Sequence, residues 1–366
     1  MRNKKAITAY KGFDKDLKCR DFQYEIGKEY EIDGEIKVCK KGFHACENPL
    51  EVFNYYLLDK DCDLARFCEV EQSGNIDKEN STTKICSSKI KIKAELKLAN
   101  IIKAGVEWIK EKVKQNNLPS YSGDSAQIGS SGDSAQIGSS GDSAKIGSSG
   151  DSAKIGSSGD YAKIGSSGDS AKIGSSGDYA KIGSSGDYAK IGSSGYSAQI
   201  GSSGDYAQIG SSGYSAKIGS SGYSAKIGSS GDYAQIGSSG YSAKIGSSGD
   251  YAQIGSSGYS AKIGSSGYSA QIGSSGDYAQ IGSSGNSAKI GSSGYSAQIG
   301  SSGKDCVICC AGRGSIVKAK IGSWITLAEW KNNKPVCVKT EYVDGKRIKE
   351  DTWYKLINGE FVEETI

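Results

Sequence analysis

From Gly123 to Ser302 the chain reads as twenty unbroken nonapeptides, G-(D/Y/N)-(S/Y)-A-(K/Q)-I-G-S-S, with no insertion or deletion. No other feature restricts the fold as strongly, because a fixed period with an invariant apolar pair marks a repeat architecture. Ala recurs from Ala126 to Ala297 and Ile from Ile128 to Ile299 in strict phase, which a flexible Gly/Ser linker has no reason to maintain. Ala and Ile stand two apart with Lys or Gln between them. That is strand alternation, with Ala and Ile facing inward and the Lys or Gln outward. The G-S-S-G that follows is a corner, since Gly tolerates positive φ and Ser bonds nearby backbone.

A short strand plus a turn is half a coil of a two-sided parallel β-solenoid. Two units per 18-residue coil, stacked about 4.8 Å apart, follow from the period. A three-sided coil fits the same length, and the pattern does not specify handedness. One unit cannot fold alone. Burying its Ile and Ala offers roughly 2–3 kcal/mol, whereas ordering nine residues costs about 9–14 kcal/mol. Only stacking stabilises such a unit, and the raw edges at each end of the stack need covers. The repeats hold 40 of the 52 Gly, and the chain has only 3 Pro, as expected where each strand must donate its N–H to the next.

The flanks read as those covers. Residues 1–118 are expected to form an α+β domain with strands at Ile7–Phe13, Tyr24–Ile32, Leu64–Val70 and Ser88–Leu98. The last of these puts Ile90, Ile92, Ala94, Leu96 and Leu98 on one face. Asn48 and Pro49 open a helix through Val52, Phe53 and Tyr56. Asn100 is expected to cap a second helix whose face carries Ile102, Val106, Ile109 and Val113, closed by Pro119. Residues 119–122 are a junction and 123–302 the repeats. Residues 303–320 are two degenerate units, with Cys306 and Ile308, then Ser315 and Val317, at the Ala and Ile positions. Residues 321–366 predict a C-terminal β-meander cap with strands Trp324–Trp330, Pro335–Val343 and Trp353–Leu356. Asp344-Gly345 and Asn358-Gly359 are its hairpin signals. The fold class is therefore mainly β, a solenoid between an α+β domain and a β cap.

Few residues carry recognisable chemistry. The one histidine, His44, lies between Cys39 and Cys46, but a zinc site would need further ligands from Cys19, Cys62, Cys68 or Cys86, none in a C-x2-C pair. We read His44 as structural and assign no metal, no cofactor and no catalytic residue, setting aside a Cys46 nucleophile assisted by His44. Cys306, Cys309 and Cys310, with Cys337 beyond, read as packing residues because Cys306 takes an inward Ala position. The period matches the calcium-binding nonapeptide of secreted toxins, but Ala stands where that motif needs Asp. An ice-binding face built on Thr ladders is disfavoured because the twenty units contain no Thr. Nucleic acid needs a one-signed patch, whereas the outward positions mix 11 Lys with 12 Asp. No run of about 18 apolar residues would span a membrane. The opening residues lack the apolar stretch of a secretory signal. Ten Cys without an export signal fit a reducing cytoplasm.

Tyrosine is the conspicuous outward residue. Tyr161, Tyr179, Tyr188, Tyr196, Tyr206, Tyr214, Tyr223, Tyr233, Tyr241, Tyr251, Tyr259, Tyr268, Tyr278 and Tyr295 are the binding residues the repeats nominate. Their bland role is to stack between coils, their sharper one to form an aromatic protein-binding surface.

Ala9-Tyr10-Lys11-Gly12-Phe13, the stretch Lys41–Tyr56 (KGFHACENPLEVFNYY), Glu69–Gly74 (EVEQSG), the repeats and Asp351–Glu363 (DTWYKLINGEFVE) together resemble a family of uncharacterised phage and prophage proteins of Gram-positive bacteria. That family implies no reaction. A second similarity is to ADP-ribosyltransferase-like folds, which would place Tyr10, Gly12 and Phe43 beside a nicotinamide site, with no residue assignable as the catalytic Glu. The sequence thus reads as a non-enzymatic scaffold of phage or prophage origin, acting in the bacterial cytoplasm. It would bind a protein partner through its repeat faces or end domains to counter a host function, and such flat faces would also allow a homo-oligomer. The alternatives are a transferase in the N-terminal domain with the solenoid as spacer, and a virion structural or decoration protein.

Overall fold

The computed structural model describes residues 6–20, 22–56, 65–78, 83–115 and 123–365. The junction 119–122, Pro119 and Cys62 lie outside them. The chain is mainly β, with a solenoid of about 11 turns over residues 127–327. It divides into two compact units. One holds the N-terminal domain with the coils up to Ile182 and Ala189–Gly195, the other Gly183–Tyr188 and everything from Tyr196 onward.

In the first unit, β1 (Ile7–Phe13), β4 (Glu29–Glu31), β5 (Phe43–Cys46), β6 (Arg66–Lys78) and β7 (Lys84–Leu96) form one antiparallel sheet, and β2 (Lys18–Cys19) pairs with β3 (Phe22–Gln23). The 13-residue β7 meets β6 along one edge and β4 and β5 along the other. Because β1 also joins β5 to β6, through Tyr10 opposite Cys46 and Lys11 opposite Cys68, the sheet closes on itself. Phe13, Tyr24, Phe43, Val70, Ile85, Ile90 and Ile92 fill this small barrel.

The expected strand Tyr24–Ile32 shrinks to Glu29–Glu31, because Tyr24 turns into the barrel and pairs its ring with Phe13, Phe22 and Tyr30. Asn48 does open a helix, a 3-10 turn over Pro49–Asn54, its side chain accepting from the Leu50 N–H. The second helix, α1, runs over Leu98–Gln115 and thus begins two residues before Asn100. Leu98 is drawn into the core with Ile101, Ile102, Val106 and Ile109, and burial of that residue outweighs the cap. Ala94 is exposed, so of the expected apolar face only Ile90 and Ile92 are fully buried within β7.

The repeats form four-residue strands, β8 (Gln127–Ser130) to β28 (Val307–Cys310), one every nine residues, followed by β29 (Ile316–Lys318). Even-numbered strands up to β28 belong to one sheet, here the first sheet; odd-numbered strands up to β29 belong to the second. Pairing is parallel with an 18-residue register. Ile146 faces Ile128 and Ile164, and Ile155 faces Ile137 and Ile173. In the second unit, Ile218 likewise faces Ile200 and Ile236. Two strands per 18 residues make the coil two-sided.

The core has a third member that the apolar pattern did not reveal. After inward Ala and Ile, the first Ser of each G-S-S from Ser139 on also points inward, as Ser157, Ser166 and Ser175 show. Once a coil lies beneath it, from Gly141 on, the Gly that opens a unit has no room for a side chain: a Cβ on Gly177 would lie 1.9 Å from the Gly159 carbonyl oxygen one coil earlier.

Two hairpins form the cap, one on each sheet. β30 (Trp324–Lys331) runs parallel to β28 and turns through Asn332-Asn333, both at positive φ, into β31 (Lys334–Tyr342). β32 (Trp353–Ile357) pairs with β29 and turns through Asn358-Gly359 into β33 (Glu360–Glu364). Asp344-Gly345 makes no hairpin, because β31 and β32 belong to different sheets. Instead Asp344 accepts from the N–H groups of Lys346, Arg347 and Ile348, turning the chain from one sheet to the other.

Candidate functional site

The fourteen tyrosines fall on the two corners of the coil. Tyr161, Tyr179, Tyr196, Tyr214, Tyr233, Tyr251 and Tyr268 precede strands of the first sheet; Tyr188, Tyr206, Tyr223, Tyr241, Tyr259, Tyr278 and Tyr295 precede strands of the second. Within the second unit this yields two ladders. Rings of Tyr196, Tyr214, Tyr233, Tyr251 and Tyr268 follow one another at 5.0–5.8 Å between centroids. Rings of Tyr223, Tyr241, Tyr259, Tyr278 and Tyr295 do so at 5.0–5.5 Å. Each of the fourteen stays 40–57% exposed. Where two consecutive Tyr hold the same place in their units the rings are parallel within 16°. The corner Asp residues have a structural use: Asp205, Asp250 and Asp277 each accept from the N–H of the Tyr one coil later.

The second sheet is covered in the first unit. α1 packs across β9 (Gln136–Ser139), β11 (Lys154–Ser157), β13 (Lys172–Ser175) and β15 (Lys190–Ser193). A Cβ on Gly174 would sit 3.2 Å from Leu50, and one on Gly192 3.1 Å from Ile102 and from Phe53. Lys154 reaches in to pair with Glu51 at 2.8 Å, and Thr83 donates to the other oxygen of Glu51 through its N–H and hydroxyl. Burial alone would raise the Glu51 carboxyl; the Lys154 ammonium and the Thr83 donors outweigh it and hold the group below the ordinary carboxylate range.

A cavity of about 930 Å³ opens in the N-terminal domain. Tyr10, Gly12 and Phe43, the three positions nominated by the transferase resemblance, all line it, together with His44, Cys19, Cys39 and Cys46. Its cationic wall is Lys11, Arg20, Lys40 and Lys84, its aromatic wall Phe22, Tyr24, Tyr55 and Tyr56, and no Asp or Glu occurs among the described lining residues. Lys11 comes from the barrel strand β1 and is 5% exposed. Its ammonium donates to the His44 carbonyl at 3.0 Å and the Cys19 sulfur at 3.3 Å, and lies 5.5 Å from the ring centroids of Phe13 and Tyr24. The Tyr56 hydroxyl donates to the same Cys19 sulfur at 3.1 Å. Gly12 serves packing, since a Cβ there would lie 2.4 Å from Cβ of Tyr56.

His44 accepts the Cys39 N–H at Nε2, 2.9 Å, and burial, reinforced by Lys11, lowers its pKa. Burial and then Glu51 push the Cys46 thiol up to about 12, the opposite of what a nucleophilic thiolate requires. Among the described residues no three His, Cys, Asp or Glu side chains are grouped to hold a metal ion. Cys306 and Cys310 are buried in the solenoid and Cys309 is exposed. Sequence reasoning reached Tyr10, Gly12 and Phe43 but not Lys11, whose place inside the lysine-rich opening segment gives no sign of burial.

The family model described as a domain of unknown function (DUF7666) matches residues 7–104, which run from β1 into α1. No curated protein and no solved structure matches the chain. Among the described residues no helix is long and apolar enough to cross a membrane.

Proposed function

We propose that the chain is a non-enzymatic interaction scaffold of phage or prophage origin, working in the bacterial cytoplasm, whose tyrosine ladders bind a protein partner and so counter a host function. The carrying observation is the pair of continuous, half-exposed Tyr ladders in the second unit. Stacking between coils still leaves each ring 40–57% exposed, and exposed Tyr is the residue type protein interfaces favour. The test is capture from infected or lysogenic cells with full-length protein and with a variant carrying Ser at Tyr223, Tyr241, Tyr259, Tyr278 and Tyr295. The scaffold reading expects a partner held by the first and lost by the second; the same partner at the same yield on both sinks it. Recovery of the chain in purified particles would instead favour a virion component.

A second reading is favoured by one observation, the cavity that gathers Tyr10, Gly12 and Phe43. Under it the N-terminal domain is a transferase acting on NAD and the solenoid is its spacer. Release of nicotinamide by the purified full-length chain tests this reading, and its absence across a panel of acceptor proteins removes it.

A further inference from the structure

The N-terminal cavity holds a buried positive charge that nothing negative among the described residues answers. Lys11 is 5% exposed, yet among the described residues the partners of its ammonium are a carbonyl, a thiol sulfur and two ring faces. Taking an ammonium out of water costs several kcal/mol unless an opposite charge meets it. Three of its neighbours, Cys19, Tyr24 and His44, also line the cavity, so the charge lies at the cavity wall. Arg20, Lys40 and Lys84 add to the same sign. Beside them Phe22, Tyr24 and Phe43 form an edge-to-face cluster with centroids 4.7–6.4 Å apart, and Phe22 remains 46% exposed.

We propose that this cavity binds a small organic phosphate carrying a planar ring, with a nucleoside monophosphate as the fitting size, its phosphate taken by Lys11 and its ring by the Phe22–Tyr24–Phe43 wall. A phosphate supplies the missing counter-charge and forms charge-assisted hydrogen bonds to the ammonium, while the aromatic cluster offers a face to the ring. The volume, about 930 Å³, lies in the range of sites that enclose ligands of this kind. The inference shares its cavity with the transferase reading and names a ligand class there, without requiring any reaction.

The experiment is calorimetric titration of the full-length chain with the common nucleoside 5′-monophosphates, the matching nucleosides and inorganic phosphate, repeated on Lys11→Met. In parallel, the alkylation rate of Cys19 is followed by peptide mass spectrometry, since a bound phosphate on Lys11 would shield that sulfur. We expect at least one nucleotide to bind about tenfold or more tightly than its nucleoside, to slow Cys19 alkylation, and to lose about tenfold or more in affinity on Lys11→Met. Removing an unanswered buried charge should leave the melting temperature of the free variant unchanged or raised. A nucleoside as tight as its nucleotide overturns the proposal, as does the absence of binding by every member at about 5 mM, roughly the weakest interaction worth calling a site. Should Lys11→Met melt lower, the nucleotide–nucleoside pair on the unaltered chain decides alone. Nucleotide binding without turnover keeps this inference and removes the transferase reading. NAD turnover indifferent to Lys11→Met does the reverse.

Discussion

Within the first unit, strands of one sequence face two different surroundings. Lys163–Ser166 of the first sheet and Lys172–Ser175 of the second are both K-I-G-S. Nothing lies within 4 Å of a Cβ built on Gly165, whereas one on Gly174 meets Leu50 and Ile102. Lys163 is exposed, whereas Lys172 is half-buried and burial lowers its pKa. A repeat therefore does not encode its own partner. It presents a backbone flat enough to receive one, and the flanking domain decides which sheet is taken.

The largest test of that contrast is Glu51→Ala. It strips the buried carboxylate from Lys154 and Thr83 and should cost about 3 kcal/mol, read as lost amide protection in α1 and in the Pro49–Asn54 turn. Because the Glu51 carboxyl titrates lower folded than unfolded, its contribution is complete above its ordinary value of 4.5. It disappears as pH falls through the lower folded value, so α1 protection should weaken there in the parent and not in Glu51→Ala.

Next comes Gly174→Leu against Gly165→Leu. The first forces Leu50 and Ile102 aside and should cost about 2 kcal/mol; the second should stay within about 0.5 kcal/mol in the same denaturation assay. Equal losses would mean that glycine is needed by the strand itself and not by α1.

A smaller effect of opposite sign belongs to Lys172→Met, which should gain about 1 kcal/mol by removing a desolvated charge. Lys172 is held below its ordinary value of 10.5, so the parent itself should gain stability as pH rises from the lower folded value to 10.5, and the variant should not. The smallest expected change is shared. Ser157 and Ser166 point inward from different sheets, and their hydroxyls have no hydrogen-bond partner among the described residues. Replacing either by Ala should gain about 0.5 kcal/mol, and a clear difference between them would show that the two sheets differ inside as well as outside.

How much of this is legible in the residues depends on distance along the chain. The nonapeptide puts Ala, Ile and the corner Gly in contact with their own copies 18 residues away, so one period determines coil and register together. Asn358-Gly359 made its hairpin because its two strands are adjacent in one sheet, while Asp344-Gly345, with equally good turn chemistry, joins strands of different sheets. Helix α1 showed its apolar face through Ile102, Val106 and Ile109, but identical repeats gave no means of telling which sheet would receive it. The cavity was the least legible. Its walls come from separate loops and strands between Tyr10 and Lys84, and the burial of Lys11 depends on Phe13, Cys19, Tyr24 and His44 arriving from four places.

Alternation between sheets also places a parity rule on copy number. Deleting 18 residues removes one strand from each sheet and leaves every remaining strand in its own. Deleting nine moves all later strands to the opposite sheet and exchanges the corners on which the two tyrosine ladders run. Tandem repeats of such uniform sequence invite gain and loss of copies, but only even steps conserve what lies on which side. The twenty regular units together with the two degenerate ones keep that count even.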